Sequence, residues 1–137
     1  MVAGAAEGAS ELNAFDGALL AAGIGDLNLV RVTSIMPPHV ELVDSPPALP
    51  PGAFALVVYS ARTSSVPGER LAAAVAIGRT ADGFGVVMEA QGRTRAQAEA
   101  EARARVEEAF RMRGLELKEV HTVGVEHRVE RCGGVVA

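Results

Sequence analysis

A single cysteine, Cys132, occurs in 137 residues, so the chain can form no internal disulfide and offers no cysteine-built metal site. Aromatic residues are almost as scarce, with four Phe, one Tyr and no Trp. No apolar run approaches the roughly 20 residues needed to cross a bilayer. The start, Met1-Val2-Ala3-Gly4, has neither a basic stretch nor a long apolar one, so no signal peptide is visible. An excess of positive charge is also missing. Thirteen Lys and Arg face 17 Asp and Glu, a net charge of −4 with both signs interspersed, so no basic patch points to nucleic acid. His39, His121 and His127 have no ligand-like neighbours at helical spacing, which argues against a metal site. These absences leave a soluble cytoplasmic protein as the expectation, with no metal, membrane or nucleic-acid partner.

What is present is a large share of small apolar residues. Hydrophobic residues make up 49% of the chain and rest mainly on Ala, Val and Leu. The length suits one domain with a real core, and a small-residue interior suits tightly packed sheets and a subunit interface. A first helix is predicted from Glu11 to about Ala22, capped by Ser10 and stopped by Gly23, with Leu12, Phe15, Leu19 and Ala22 as its apolar stripe. Leu27 to Ile35 reads as a strand, and Ser45 to Gly52, with four prolines, as an extended loop. Ala53 to Ala61 reads as a second strand and Thr63 to Gly68 as a turn. Leu71 to Gly78 and Phe84 to Ala90 read as paired strands joined at Thr80-Ala81-Asp82-Gly83.

A long helix is predicted after Thr94, where Gln97 completes a capping box, and it stops at Gly114. Its inner stripe is Ala98, Ala102, Val106, Ala109 and Phe110. Its outer row, Arg95, Glu99, Arg103, Glu107 and Arg111, alternates in sign as a solvated face does. A last strand runs from about Lys118 to Val129. Helix, strands, helix, strand indicate the α+β class. Gly23-Ile24-Gly25 follows a helix and lacks a third glycine, which argues against a nucleotide loop.

Chemistry concentrates in Thr33-Ser34-Ile35-Met36-Pro37-Pro38, where two prolines end an apolar run. A serine hydroxyl there can attack the carbonyl of Thr33 and convert the peptide bond to an ester. Elimination across Cα–Cβ of Ser34 would release the upstream fragment and leave dehydroalanine, which hydrolyses to a pyruvoyl group, a carbonyl electron sink. On local sequence alone, such residues are more commonly just an ordinary strand end.

The wider pattern decides. Gly4, Glu7-Gly8, Leu12-Asn13-Ala14-Phe15-Asp16-Gly17-Ala18-Leu19-Leu20 and Ala22 to Pro38 resemble the pyruvoyl-dependent arginine decarboxylases. The resemblance continues in order through Val66-Pro67-Gly68-Glu69, Met88-Glu89 with Gly92, Met112-Arg113-Gly114 and Val125-Glu126-His127. It implies a single-domain four-layer α/β/β/α sandwich, self-associating as a homotrimer or a dimer of trimers. It also implies self-cleavage between Thr33 and Ser34 into residues 1–33 and 34–137, leaving a covalent pyruvoyl group derived from Ser34. Through a Schiff base to that group, L-arginine would become agmatine and CO2, in a cytoplasmic step of polyamine formation.

Site residues follow from the same resemblance. Glu89 matches the proton donor, and desolvation within the apolar strand Phe84 to Ala90 would favour its protonated form. Asp16 matches the position that receives the far end of the substrate, where a carboxylate can accept two parallel hydrogen bonds from a guanidinium. Leu12, Gly25 and Leu27 match residues lining the substrate pocket. Asn28 precedes Ser34 by six residues on what reads as one strand, so the two side chains should face the same way. The resemblance sets this Asn beside the cleavage point, where its amide can stabilise an oxyanion or orient the substrate amine.

The chain departs from the family at Thr33, where many relatives carry Ser, and in short ends before Gly4 and after Cys132. Two other functions remain open. One is a pyruvoyl decarboxylase for another amino acid; the other is an uncleaved homologue serving as a structural subunit or small-molecule binder.

Overall fold

The computed structural model describes residues 1–43, 45–46 and 48–137, so Pro47, within the proline-rich loop expected at 45–52, lies outside the described residues. In chain order the elements are β1 (Gly4–Glu7), α1 (Glu11–Ala21), β2 (Asn28–Arg31), β3 (Ile35–Met36), β4 (Phe54–Val57), β5 (Ala61–Ser64), β6 (Arg70–Arg79), β7 (Gly85–Gly92), α2 (Arg95–Arg113), β8 (Glu119–Arg128) and β9 (Gly133–Val136). They make an α+β fold with three sheets, ordered β3-β7-β6-β8, β1-β9-β5 and β2-β4.

Alternation along β6 decides what packs on each side. Ala72, Ala74 and Ala76 point to one face and meet Ala98, Ala102, Val106 and Phe110 of α2. Leu71 and Ala73 point to the other face and meet Val135 and Ala137 of the β9 segment, together with Val129. On the far side of β9, Val136 packs on Ala18, Leu19 and Ala22 at α1. The small side chains let backbones approach closely. At Gly134 a Cβ would stand 2.7 Å from the main-chain carbon and oxygen of Ala14, so α1 can rest on β9 only if this residue is Gly.

Both helices begin as the sequence indicates. The Ser10 hydroxyl accepts from the N–H of Asn13 at 3.2 Å, and Thr94 accepts from that of Gln97 at 3.2 Å. The Gln97 side chain reaches back one residue further than a capping box requires, accepting from Arg93 N–H at 3.1 Å. Gly114 ends α2 in the left-handed region at φ 64°, as Gly23 does after α1 at φ 76°. The inner stripe of α2 is buried as expected.

Three expectations are corrected, and one pairing was not anticipated. Leu12 does not join the buried stripe of α1; it is 76% exposed, and Ala14, Ala18 and Leu19 are buried instead. Leu27 to Ile35 is not one strand but two, β2 and β3, which belong to different sheets. Ala53 to Ala61 likewise divides into β4 and β5, and β5 continues to Ser64, where a turn was expected. Finally β1 and β9 carry no alternating pattern, yet they pair with each other because the two ends of the chain meet.

The Glu7 carboxylate secures that meeting. It accepts from the N–H groups of Glu130 at 2.9 Å, Arg131 at 3.0 Å and Cys132 at 3.0 Å, and lies 2.6 Å from His127 Nε2. The N–H of Glu130 and the imidazole of His127 are the chief causes that lower its pKa from 4.5 to about 2. A carboxyl lowered in this way stabilises the fold fully above its unfolded value, and that contribution disappears as pH falls through the folded one. Urea midpoints measured between pH 6 and pH 2 should therefore fall steeply from about 4.5 downward in the natural chain. In Glu7→Gln the midpoint should be lower at neutral pH and flatter across that window. An unchanged acid slope would mean that Glu7 is not the group responsible.

Candidate active site

The backbone around Ser34 is shaped by a change of sheet. β2 runs parallel to β4, with Asn28 opposite Phe54 and Arg31 opposite Val57. One residue past β2, Val32 N–H still donates to Val57 C=O at 3.0 Å. The chain then leaves that sheet and enters another, where Ile35 stands opposite Val86 and Met36 opposite Gly85 on β7. Ser34 C=O accepts from Val87 N–H at 2.8 Å. Pro37 and Pro38 follow β3 and cannot donate to a ladder, which limits β3 to two residues. The Thr33–Ser34 peptide thus bridges two sheets and is held on either side by a main-chain hydrogen bond.

Beside this bridge lies an apolar cavity of about 440 Å³, lined by Thr33, Ile35, Met36, Tyr59, Ile77 and Val87 among others. Thr33 is exposed and Ser34 half-buried at its margin. Such walls exclude water from a reacting bond while leaving one side open. A small carbonyl group at residue 34 would be compatible with this apolar surround.

Glu89 lies on β7 two residues beyond Val87, on the same face of that strand as the residue opposite Ser34. Its setting differs from the desolvated one expected. β3 is too short to reach it, so the carboxylate is half-buried at an uncovered strand edge. There its Oε1 accepts from Arg31 Nη2 at 2.7 Å. The Arg31 guanidinium also lies over the Tyr59 ring, 5.1 Å from its centroid. Neither Arg31 nor Tyr59 drew attention in the sequence, because each acts through a partner distant along the chain; Glu89 is 58 residues from Arg31.

Asn28 and Ser34 do not share a strand face, since β2 ends between them. The Asn28 side-chain N–H donates to Gly52 C=O at 2.7 Å and anchors the loop before β4. Asp16 and Leu12 are exposed one turn apart on the outside of α1. Gly25 and Leu27 line a separate hollow of about 300 Å³ with Leu20 and Leu49. Gly25 lies so close to Leu20 that a Cβ would stand 2.5 Å from its Cδ2. One chain therefore brings Thr33, Ser34 and Glu89 together and leaves Asp16 with Leu12, and Gly25 with Leu27, outside the cavity beside the bridge.

Comparison with known proteins bears directly on this arrangement. The family model described as pyruvoyl-dependent arginine decarboxylase matches residues 1–137. A protein of that name from Methanocaldococcus jannaschii is 45% identical over 136 residues, covering 97% of this chain and 82% of its own. One from Methanothermobacter thermautotrophicus is 42% identical over 139 residues, covering 100% of this chain and 91% of its own. One from Pyrococcus abyssi is 41% identical over 133 residues, covering 95% and 84% respectively. With a match along its whole length, and a bridging Thr33–Ser34 peptide set beside Glu89, the chain belongs to the pyruvoyl-dependent arginine decarboxylase family.

Proposed function

We propose that this chain cleaves itself between Thr33 and Ser34 and, in the resulting form, decarboxylates L-arginine to agmatine and CO2. The observation that carries the reading is the Thr33–Ser34 peptide, held between two sheets by the Val32 and Val87 hydrogen bonds with Glu89 alongside. Full-length similarity to relatives bearing the arginine decarboxylase name supports it.

Cleavage begins when the Ser34 hydroxyl adds to Thr33 C=O and the C–N bond gives way to an ester. Glu89, held by Arg31, then takes the α-proton of residue 34 as its Cβ–O bond breaks. Thr33 departs as a carboxylate and residue 34 becomes dehydroalanine; water replaces its nitrogen, which leaves as ammonia. The pyruvoyl group so formed supplies a carbonyl that withdraws electrons from the α-carbon of a bound amino acid as CO2 leaves. Glu89, now protonated, returns a proton to that carbon. Asp16 receives the guanidinium through paired hydrogen bonds, with Leu12, Gly25 and Leu27 around the aliphatic stem. Asn28 orients the α-amino group.

Because Asp16 and Glu89 belong to different surfaces of one chain, the complete pocket forms between neighbouring copies in a homotrimer, singly or as a dimer of trimers. Phe54 and Leu56 are 76% and 74% exposed on one face of the β2–β4 ribbon, beside Val30, and a second copy would cover them. The packing of α2, the four-stranded sheet, the three-stranded sheet and α1 in succession favours the α/β/β/α layering of the subunit.

Intact-mass spectrometry of the purified protein should give two fragments, 1–33 and 34–137, the second bearing a borohydride-reducible carbonyl. Ser34→Ala should remain whole. A natural chain that stays intact would favour a structural or ligand-binding role instead. In the cleaved enzyme, Asp16→Asn should lower kcat/KM for arginine on the order of 100-fold, the scale of an unpaired buried charge. Retained discrimination between arginine and neutral amino acids in that variant would mean that Asp16 does not receive the guanidinium.

A further inference from the structure

Arg31 ends β2 three residues before Ser34 and makes two contacts outside its own sheet. Its Nη2 donates to Glu89 Oε1 at 2.7 Å, and its Cζ lies over the Tyr59 ring, 5.1 Å from the centroid. The Tyr59 ring in turn leans on Phe15, with centroids 6.4 Å apart. A guanidinium can rest on a ring by its face and donate within its plane at the same time. The ring therefore restricts the directions in which Arg31 donates, and Arg31 restricts a Glu side chain that no neighbouring strand holds. An ion pair this exposed contributes little to stability, so its consequence is geometric.

The two partners also fall on opposite sides of the cut, Arg31 in 1–33 and Glu89 in 34–137. Among the described residues, two charged side chains contact Glu89. Arg31 meets its carboxylate, while Arg105 donates from Nη1 to its main-chain oxygen at 2.7 Å and is itself paired with Glu101 at 3.0 Å. Cleavage introduces one new anion here, the carboxylate of Thr33, and no new cation, because the downstream end becomes a carbonyl. Two residues along an extended chain span about 7 Å, within the length of an arginine side chain.

We propose that Arg31 is the positioning residue for Glu89 and that self-cleavage changes its partner, the new Thr33 carboxylate drawing the guanidinium off Glu89. In the uncleaved chain Arg31 holds the Glu89 carboxylate in place on the strand face that residue 34 meets. Elimination delivers the α-proton to Glu89 in the same step that creates the Thr33 carboxylate. Arg31 then has a new anion to follow, and Glu89, carrying the proton, no longer needs a cation. The cut itself thus converts a base into the acid that decarboxylation requires. This inference rests on the reading of the chain as a self-cleaving decarboxylase.

Two measurements test it. Crystal structures of uncleaved Ser34→Ala and of the processed protein should show Arg31 on Glu89 in the first and on the Thr33 carboxylate in the second. The same Arg31–Glu89 pair in both would overturn the exchange. Time courses of cleavage by mass spectrometry should be slowed about 100-fold in Arg31→Met, the scale for a misplaced reacting group, and largely restored in Arg31→Lys. Once processed, Arg31→Met should lose at least about 10-fold less in kcat for arginine than it loses in the rate of cleavage. Equal losses in cleavage and turnover would make Arg31 merely structural, and no loss in either would remove it as a positioning residue. Failure of the natural chain to cleave would instead overturn the functional reading on which the inference stands.

Discussion

Strand β6 is bonded along both edges, to β7 and to β8, and is buried on both faces from Leu71 to Gly78. Its inward side chains are mostly those of alanine, so whatever packs on it must come close to the main chain. On one side α2 does so through Ala98 and Ala102; on the other, the β9 segment does so through Val135 and Ala137. Small side chains remove less apolar area per residue than Leu or Phe, so such a core depends on many well-fitted contacts rather than a few large ones. The same closeness explains why bulk is excluded at Gly134, where α1 lies on β9. Position at the site inherits this rigidity, since β7, which holds both Val87 and Glu89, is the neighbour of β6.

The site itself exists because one apolar run serves two sheets. A continuous strand from Leu27 to Ile35 would have given every peptide from 28 to 34 the same ladder environment. Division into β2 and β3 instead leaves Thr33 and Ser34 spanning the gap, with fixed points at Val32 and at Ser34 C=O. Holding a bond at both ends without enclosing it in a ladder limits its conformations while leaving the carbonyl open to attack. The shortness of β3 has a second effect. It leaves the edge of β7 bare at Glu89, and Arg31 from the preceding strand fills that edge with a charge.

The other residues proposed for the pocket are distributed. Asp16 and Leu12 project from the outside of α1, Gly25 and Leu27 line the loop that follows, and Asn28 is engaged with Gly52. A small chain can build a substrate site from such pieces by repetition, each copy offering one part to its neighbour's cleavage point. The exposed Phe54 and Leu56 would give the proposed association an apolar surface to bury.

The sequence by itself determined the features that local chemistry governs. Ser10, Thr94 and Gly114 bound the helices because capping needs only near neighbours, and the stripe from Ala98 to Phe110 followed from the helical period. The turn before Phe84 was legible for the same reason, and the ordered motifs around Ser34, Asp16 and Glu89 carried the family. Only the tertiary structure decided the rest. The break between β2 and β3 depends on which sheet each half can pair with, a choice made by β4 and β7 far along the chain. β1 and β9 have no alternation to announce them, and they are strands because the ends meet under the Glu7 carboxylate. The contact of Glu89 with Arg31 rather than an apolar wall has the same origin: pairing between distant strands sets which edge is covered, and no local pattern records it.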